Sequence, residues 1–407
     1  MSLPVGIPKE LKRGERRVSL TPQGVRFLHE QAVTIYIEEN AGLLSGFSNE
    51  EYKRAGGILV HDAATLWEKA RLIKKVKEPI ESEFQFFSSQ HIIFTYLHLA
   101  SPSAEPLILA LQKSKTTAIA YETIEKNGET PLLTPMSEVA GTLVAYYGAI
   151  FKKHITISGN KIVGIEKAKV LMEEFAADYT SKSQIATPAE KHGGLAMTNV
   201  RFLILGGGHV GKCAAQMAAQ MGGDIWISEI SEARRAVILS AAKDLDSSAS
   251  GLRMTESINV INPSNLKQYH ECLHSADIIV GAVHSAGKRA PLIIDQELLK
   301  KISLVKPKII LDVSIDQGGN IAESRPTDYE TPLELDSFGN LRFSVTNIPS
   351  FCGRGASIAL EAASLEYTSQ LAQGLERAVK ISPELKTGIN VLNGEVVHSA
   401  VSEAHDL

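Results

Sequence analysis

The stretch that most constrains the fold is Val200-Arg-Phe-Leu-Ile-Leu-Gly-Gly-Gly-His-Val-Gly-Lys212. An apolar run, Phe202 to Leu205, ends abruptly in glycines, and Gly206, Gly208 and Gly211 have the G-x-G-x-x-G spacing. A stretch of small and apolar residues follows, Cys213 to Met221, and a second short run, Ile225 to Ser228, ends in Glu229. Strand, glycine turn, helix, strand, acid is the order of a dinucleotide-binding βαβ unit. The first glycine permits the tight turn, the second lets backbone approach a pyrophosphate, and the third lets helix and strand pack closely. The helix N-terminus offers N–H groups to the anion. Glu229 stands where a carboxylate accepts hydrogen bonds from a ribose 2′-hydroxyl and repels a 2′-phosphate, which favours NAD over NADP. The same glycines also suit a structural turn in an α/β domain, and they name no reaction.

A chain of 407 residues suggests two or three domains. Hydrophobic residues at 44% and charged residues at 22% describe a soluble globular protein. A net charge of −4 without a basic block excludes nucleic acid and an anionic membrane surface as expected partners. Cys213, Cys272 and Cys352 are scattered, so neither a disulfide framework nor a metal site is expected, and Cys213 reads as core. No signal-peptide pattern and no apolar run of about 18 residues is present, which makes a cytoplasmic enzyme the expectation.

Before the glycine turn, short apolar runs alternate with helical patterns. Thr34–Ile37, Leu72–Val76, Ile92–Leu97 and Thr117–Tyr121 read as strands. Helices are expected over Asn49–Ala55 with Ser48 as cap, over Ala63–Ala70, and over Ala104–Gln112 with Ser103 as cap. A long helix over Glu138–Phe151, apolar on more than one face, suits packing between two domains. Thr156 to Thr198 reads as polar and irregular, with an amphipathic piece near Ile165–Phe175 and a loop at Thr180–Gln184. Beyond the turn, Ser231–Leu245 and Leu266–Leu273 read as helices. Asn259–Asn262 and Ile309–Asp316 read as strands, and Asp277–Val280 leads into a loop from Gly281 to Gly287. Ser357–Leu375 reads as a second linking helix. The fold class is therefore α/β: two doubly wound parallel-sheet domains joined by long helices, one of them a Rossmann domain. The expected boundaries are 1–137 with 353–407 for the substrate domain and 138–352 for the NAD-binding domain.

In open parallel sheets, ligands bind beyond the carboxyl ends of the strands. Lys77 and His98 stand there in the first domain, and Asp316 in the second. Each also has a plain reading. Lys77 suits a solvated run with Lys74 and Lys75, His98 a core histidine between leucines, Asp316 a turn, and Arg17 a surface loop. Taken jointly they fit hydride transfer to a small 2-oxo acid. Arginine suits a carboxylate by its bidentate geometry, lysine polarises a carbonyl, and histidine titrates near neutral pH.

The chain resembles the alanine dehydrogenase family, in the superfamily shared with the α subunit of proton-translocating transhydrogenase. The matching stretches run in order: Gly6–Glu10, Arg17–Pro22, Lys75–Pro79, Phe94–Ala100, Ala120–Thr123, Pro135–Gly141, Leu205–Gly208, Asp316–Gly319 and Ser324–Thr327. The resemblance implies reversible conversion of L-alanine, water and NAD+ to pyruvate, ammonium and NADH. It implies Arg17 and Lys77 on the substrate carboxylate and carbonyl oxygen, His98 as general acid/base, and Asp316 orienting ammonia or water. The cofactor site would be lined by Ser137, Gly206, Gly208, His209, Val210, Gly211, Glu229 and Asn347, and the assembly would be a homohexamer. Two alternatives stay open: a related dehydrogenase for another small amino or 2-oxo acid, and an NAD(H)-binding protein without catalysis.

Overall fold

A computed structural model describes residues 2–179, 195–248, 258–284 and 289–406. The chain forms two compact units. One comprises Met1–Met136, Tyr179–Ser181 and Ser350–Leu407, the other Ser137–Asp178 and Lys182–Pro349. The first unit opens with strands β1 (Val5–Ile7), β2 (Ile35–Glu38), β3 (Ile58–Val60), β4 (Leu72–Lys74), β5 (Ile92–Thr95) and β6 (Thr117–Ala120). The second holds a hairpin, β7 (Thr156–Ser158) and β8 (Lys161–Val163). It continues with β9 (Arg201–Leu205), β10 (Asp224–Ser228), β11 (Ile258–Ile261), β12 (Ile278–Gly281), β13 (Ile309–Asp312), β14 (Leu333–Leu335) and β15 (Leu341–Phe343). The chain then returns to the first unit with β16 (Ile389–Leu392) and β17 (Glu395–Val396).

Each unit is built on one sheet. The order is β17-β16-β6-β5-β4-β1-β2-β3 in the first and β11-β10-β9-β12-β13-β15-β14 in the second. Strands β1 to β6 pair in parallel, and β16 and β17 extend that sheet antiparallel. In the second sheet only β14 runs antiparallel. The strand order reverses between β1 and β4 in one sheet and between β9 and β12 in the other. Such a switch point opens a crevice at the carboxyl ends of the strands.

Helices cover both faces, so the central strands are buried throughout; Val5, Ile7, Leu72, Ile73, Phe202, Leu203 and Ile204 have no exposed surface. Each such side chain contributes about 1.5–3 kcal/mol. Local signals set the helix starts. Thr21 caps Pro22–Glu30, with Pro22 in the first turn, and Asp62 caps Ala63–Lys69. Ser48 and Glu51 form a capping box on Asn49–Arg54.

Several expectations are corrected. Thr156–Val163 is not irregular: Gly159, with φ +59°, turns β7 into β8. Ser103 does not cap a helix. It sits in the 3-10 turn Pro102–Ala104, its hydroxyl meets Ser101 Oγ at 2.9 Å, and the helix runs Glu105–Ser114. The helix expected from Ser357 starts at Gly353 and ends at Ala372, before Gly374 with φ +107°. In this first turn a Cβ on Gly353 would meet the Arg16 carbonyl oxygen at 2.9 Å, and one on Gly355 that of Tyr179 at 2.1 Å. These are close-packing glycines within a helix. Cys213 is half-buried rather than core. The loop at 180–184 and residues 285–287 of the Gly281 loop lie outside the described residues.

Candidate active site

The carboxyl ends of β1, β4 and β5 carry three cationic or titratable side chains of the first unit. Lys74, Lys75 and Lys77 do not form a solvated run. Lys74 is wholly buried and donates to Ser364 Oγ at 2.8 Å, and burial drives its pKa to about 7 against the pull of Glu361. Lys75 is buried between Glu10 at 3.4 Å and Glu83 at 3.0 Å. Lys77 is half-buried, and among the described residues its ammonium makes no ion pair. Burial lowers its pKa, the Arg17 guanidinium lowers it further, and Glu78 opposes both.

Arg17 is buried in the loop after β1. Its Nε and Nη2 donate to the two oxygens of Glu15 at 2.7 and 2.6 Å, and Nη1 points at Met136 Sδ at 3.0 Å. Burial disfavours the guanidinium, but Glu15, together with Tyr96 and Glu10, outweighs it and the pKa ends up raised. Glu15 was not legible as a partner, because a carboxylate two residues away normally faces solvent.

His98 follows β5 in a left-handed conformation, with φ +50°. For a histidine this costs about 1–3 kcal/mol and persists only where neighbours enforce it. The ring stacks on Tyr96 with centroids 6.1 Å apart. It is not a core histidine; its side chain opens to solvent. Protein crowding on the inner side nevertheless lowers its pKa. Glu122 and Glu78 pull upward, while Lys77 and Lys12 push downward. Arg17, Lys77 and His98 are thus near enough to act on one another in sequence: Arg17 on Lys77, and Lys77 on His98.

In the second unit the switch point carries the glycine turn. Gly206 has φ +100°, and a Cβ there would meet the Ala282 carbonyl oxygen at 2.8 Å. A Cβ on Gly211 would fall 1.9 Å from the Gly206 carbonyl oxygen, whereas one on Gly208 would meet nothing within 4 Å. Gly208 is the N-cap of the helix His209–Gln220 and supplies no side-chain cap, so the first turn's N–H groups lack that partner. His209 is exposed and Val210 half-buried at this helix start.

Glu229, buried just past β10, accepts the Gly207 N–H at 2.9 Å and the Ser231 N–H at 2.8 Å. Arg234 approaches the same carboxylate at 4.0 Å. Ser137 is half-buried one turn before Gly141, whose own Cβ would meet the Val210 carbonyl oxygen at 2.2 Å. That spacing puts Ser137 on the helix face that crosses the glycine turn's helix.

Asp316 is not at a strand end. The expected strand Ile309–Asp316 stops at Asp312, and Val313–Gln317 is a 3-10 turn. The cause is the buried Asp312 carboxylate. It accepts the Asn320 N–H at 2.9 Å, the Ile321 N–H at 3.1 Å and Ser324 Oγ at 2.6 Å, which folds the chain back. Asp316 is exposed, and its Oδ2 accepts the Asn347 N–H at 3.3 Å. Asn347 is itself left-handed, with φ +56°.

Residues 6–140 match the family model "Alanine dehydrogenase/PNT, N-terminal domain", and residues 175–399 match "Alanine dehydrogenase/PNT, C-terminal domain". Alanine dehydrogenase of Methanococcus maripaludis is 35% identical over 413 residues, covering 99% of this chain and 96% of that protein. Alanine dehydrogenase of Staphylococcus saprophyticus is 35% identical over 410 residues, covering 99% and 97%. A solved L-alanine dehydrogenase superposes with a TM-score of 0.78 at 31% identity, covering 99% of each chain. With both sheets, both switch points and the whole length accounted for, the chain belongs to the alanine dehydrogenase/PNT family.

Proposed function

We propose that this chain is an NAD-dependent alanine dehydrogenase, interconverting L-alanine and water with pyruvate and ammonium. The observation that carries the reading is the gathering of Arg17, Lys77 and His98 around the switch point of the first sheet. They are an anion clamp, a carbonyl donor and an acid/base in one place. The curated relatives named alanine dehydrogenase support the choice of substrate.

The residues present fit a nicotinamide dinucleotide. The space over Gly208 is open, the helix it caps offers backbone N–H groups, and the buried Glu229 carboxylate stands beside the turn. NAD+, when bound, supplies the hydride acceptor for C2 of the amino acid. Gly206, Gly208, His209, Val210 and Gly211 would hold its pyrophosphate, Glu229 a ribose, and Ser137 and Asn347 the remainder.

On the substrate side, Arg17, braced by Glu15 along its Nε–Nη2 edge, would bind the carboxylate. Lys77 would donate to the carbonyl oxygen. His98 would move the proton to and from the oxygen of water and of the carbinolamine, and Asp316 would orient water or ammonia. Residues 1–137 with 353–407 then act as the substrate domain and 138–352 as the cofactor domain. The proposal extends to a homohexamer in the cytoplasm, which light scattering of the pure protein checks for its assembly.

The test is oxidation of NADH by pyruvate plus ammonium, beside glyoxylate, 2-oxobutyrate and a branched 2-oxo acid. Pyruvate should give the highest kcat/KM. Silence with pyruvate across a wide pH range would sink the reading, and a better 2-oxo acid would redirect it.

A further inference from the structure

The loops that carry Lys77 and His98 are built alike. In each, two consecutive backbone N–H groups just past a strand donate to one carboxylate from the loop of the adjacent strand. After β4, the Val76 N–H at 2.6 Å and the Lys77 N–H at 3.2 Å meet Glu10, which follows β1. After β5, the Leu97 N–H at 3.2 Å and the His98 N–H at 2.6 Å meet Glu122, which follows β6. Hydrogen bonds to a carboxylate are roughly twice as strong as neutral ones. A single residue at φ +50° needs such an anchor, because its own backbone preference opposes the conformation.

Other contacts close the His98 turn from behind. The Ser101 N–H donates to the His98 carbonyl at 2.9 Å, and His405 Nε2 meets the Leu99 carbonyl at 2.7 Å. On the N–H side, Glu122 is the anchor. The chemistry proposed above gives Glu122 no task of its own.

We propose that Glu122 is a positioning residue: by accepting the Leu97 and His98 N–H groups it holds the His98 turn and fixes where the imidazole stands, as Glu10 does for Lys77. The inference rests on the proposed role of His98.

Two readouts separate this from a merely structural carboxylate. The first is a double-mutant cycle with Glu122→Gln and His98→Ala. Glu122→Gln keeps the volume but replaces one acceptor with a donor facing an N–H. It should lower kcat/KM by roughly ten- to a hundredfold, the scale of a small misplacement of a reacting group. In the His98→Ala background the same change should cost almost nothing. Equal losses in both backgrounds would overturn the proposal.

The second readout needs no turnover, so it stands even where the alanine dehydrogenase reading fails: the His98 imidazole is titrated by NMR. The groups acting on it are Glu122, Glu78, Lys77 and Lys12, and its ring lies against Tyr96. Removing the Glu122 charge leaves the cations in place, so the imidazole should titrate at lower pH. An unmoved titration refutes positioning. If Glu122→Gln does not fold, Glu122→Asp keeps the charge and withdraws the acceptor by one methylene. It should lose kcat/KM while keeping most of the thermal stability, and wild-type kcat/KM in that variant equally refutes the idea.

Discussion

The two sheets share a plan and end in opposite chemistry. Both are doubly wound, with the order reversing between β1 and β4 or between β9 and β12. At the second switch point the chain removes side chains: Gly206 and Gly211 admit close-packed backbone, and Gly208 faces open space. At the first it crowds side chains in, setting Arg17, Lys77 and His98 on loops held by carboxylates at Glu15, Glu10 and Glu122. Backbone recognises a phosphate by what is absent, so its requirement is steric. Acid–base chemistry requires particular groups held in particular charge states, so its requirement is electrostatic and reaches far along the chain. Substitutions in the two places should therefore fail in different ways.

The largest difference is expected at His98. His98→Ala should cut kcat by about 10²- to 10⁴-fold, the usual contribution of a general acid/base. NADH affinity, measured by calorimetry, should stay near wild type. Loss of NADH binding in parallel would mean that the first sheet is no separate chemical wall.

The glycine turn should divide its losses between stability and binding. Gly211→Ala would put a Cβ 1.9 Å from the Gly206 carbonyl oxygen. Such overpacking costs about 1–3 kcal/mol or more, visible as a drop in Tm. Gly208→Ala meets no atom within 4 Å, and Gly208 has φ −71°, which alanine adopts freely. That variant should keep its Tm and weaken NADH binding by more than about tenfold, a difference of about 1.4 kcal/mol. If Gly208→Ala binds NADH normally, the open space above the turn is not where the cofactor lies.

This contrast also governs what could be read from the sequence. The glycine turn was legible because its spacing is local and its reason is the missing Cβ. The cap at Ser48 was legible for the same reason of locality. Lys77 and His98 could be picked out as polar residues after apolar runs, but what holds them could not. Glu10 reaches Val76 across 66 positions and Glu122 reaches His98 across 24, and no periodicity links either pair. Asp316 was placed at a strand end because Ile309–Asp316 reads as one apolar run. The buried Asp312 ended the strand early, through partners eight to twelve residues onward. The helix start at Gly353 was missed because the backbones that Gly353 and Gly355 admit, Arg16 and Tyr179, lie far away in sequence.

A smaller effect is expected at Glu229. Its carboxylate both serves the proposed ribose site and accepts the Gly207 and Ser231 N–H groups. Glu229→Gln keeps one acceptor oxygen and removes the charge. Discrimination against NADP, measured as the ratio of kcat/KM values, should fall by roughly tenfold, in line with one hydrogen bond to a charged group. Arg234, at 4.0 Å, would then face a 2′-phosphate without a competing carboxylate. An unchanged ratio would show that Glu229 serves the turn alone.

The smallest effect tests the electrostatics of the first sheet. In its proposed role in alanine oxidation His98 must be neutral to accept a proton, and crowding, Lys77 and Lys12 lower its pKa. The acid limb of kcat/KM should therefore lie below the ordinary histidine value of about 6.5. Lys77 must be protonated to donate, and its pKa is also lowered, so the alkaline limb should lie below the ordinary lysine value of about 10.5, after correction for the amine substrate. Lys12 is 42% exposed and pairs with Glu78. Lys12→Gln removes one cation that depresses His98 and releases a carboxylate that elevates it. Both changes have the same sign, so the acid limb should move up, by roughly 0.2–0.7 of a pH unit for an exposed pair. Added salt should shrink the shift, because an exposed pair is screened. A limb that moves down, or does not move, belongs to a group other than His98.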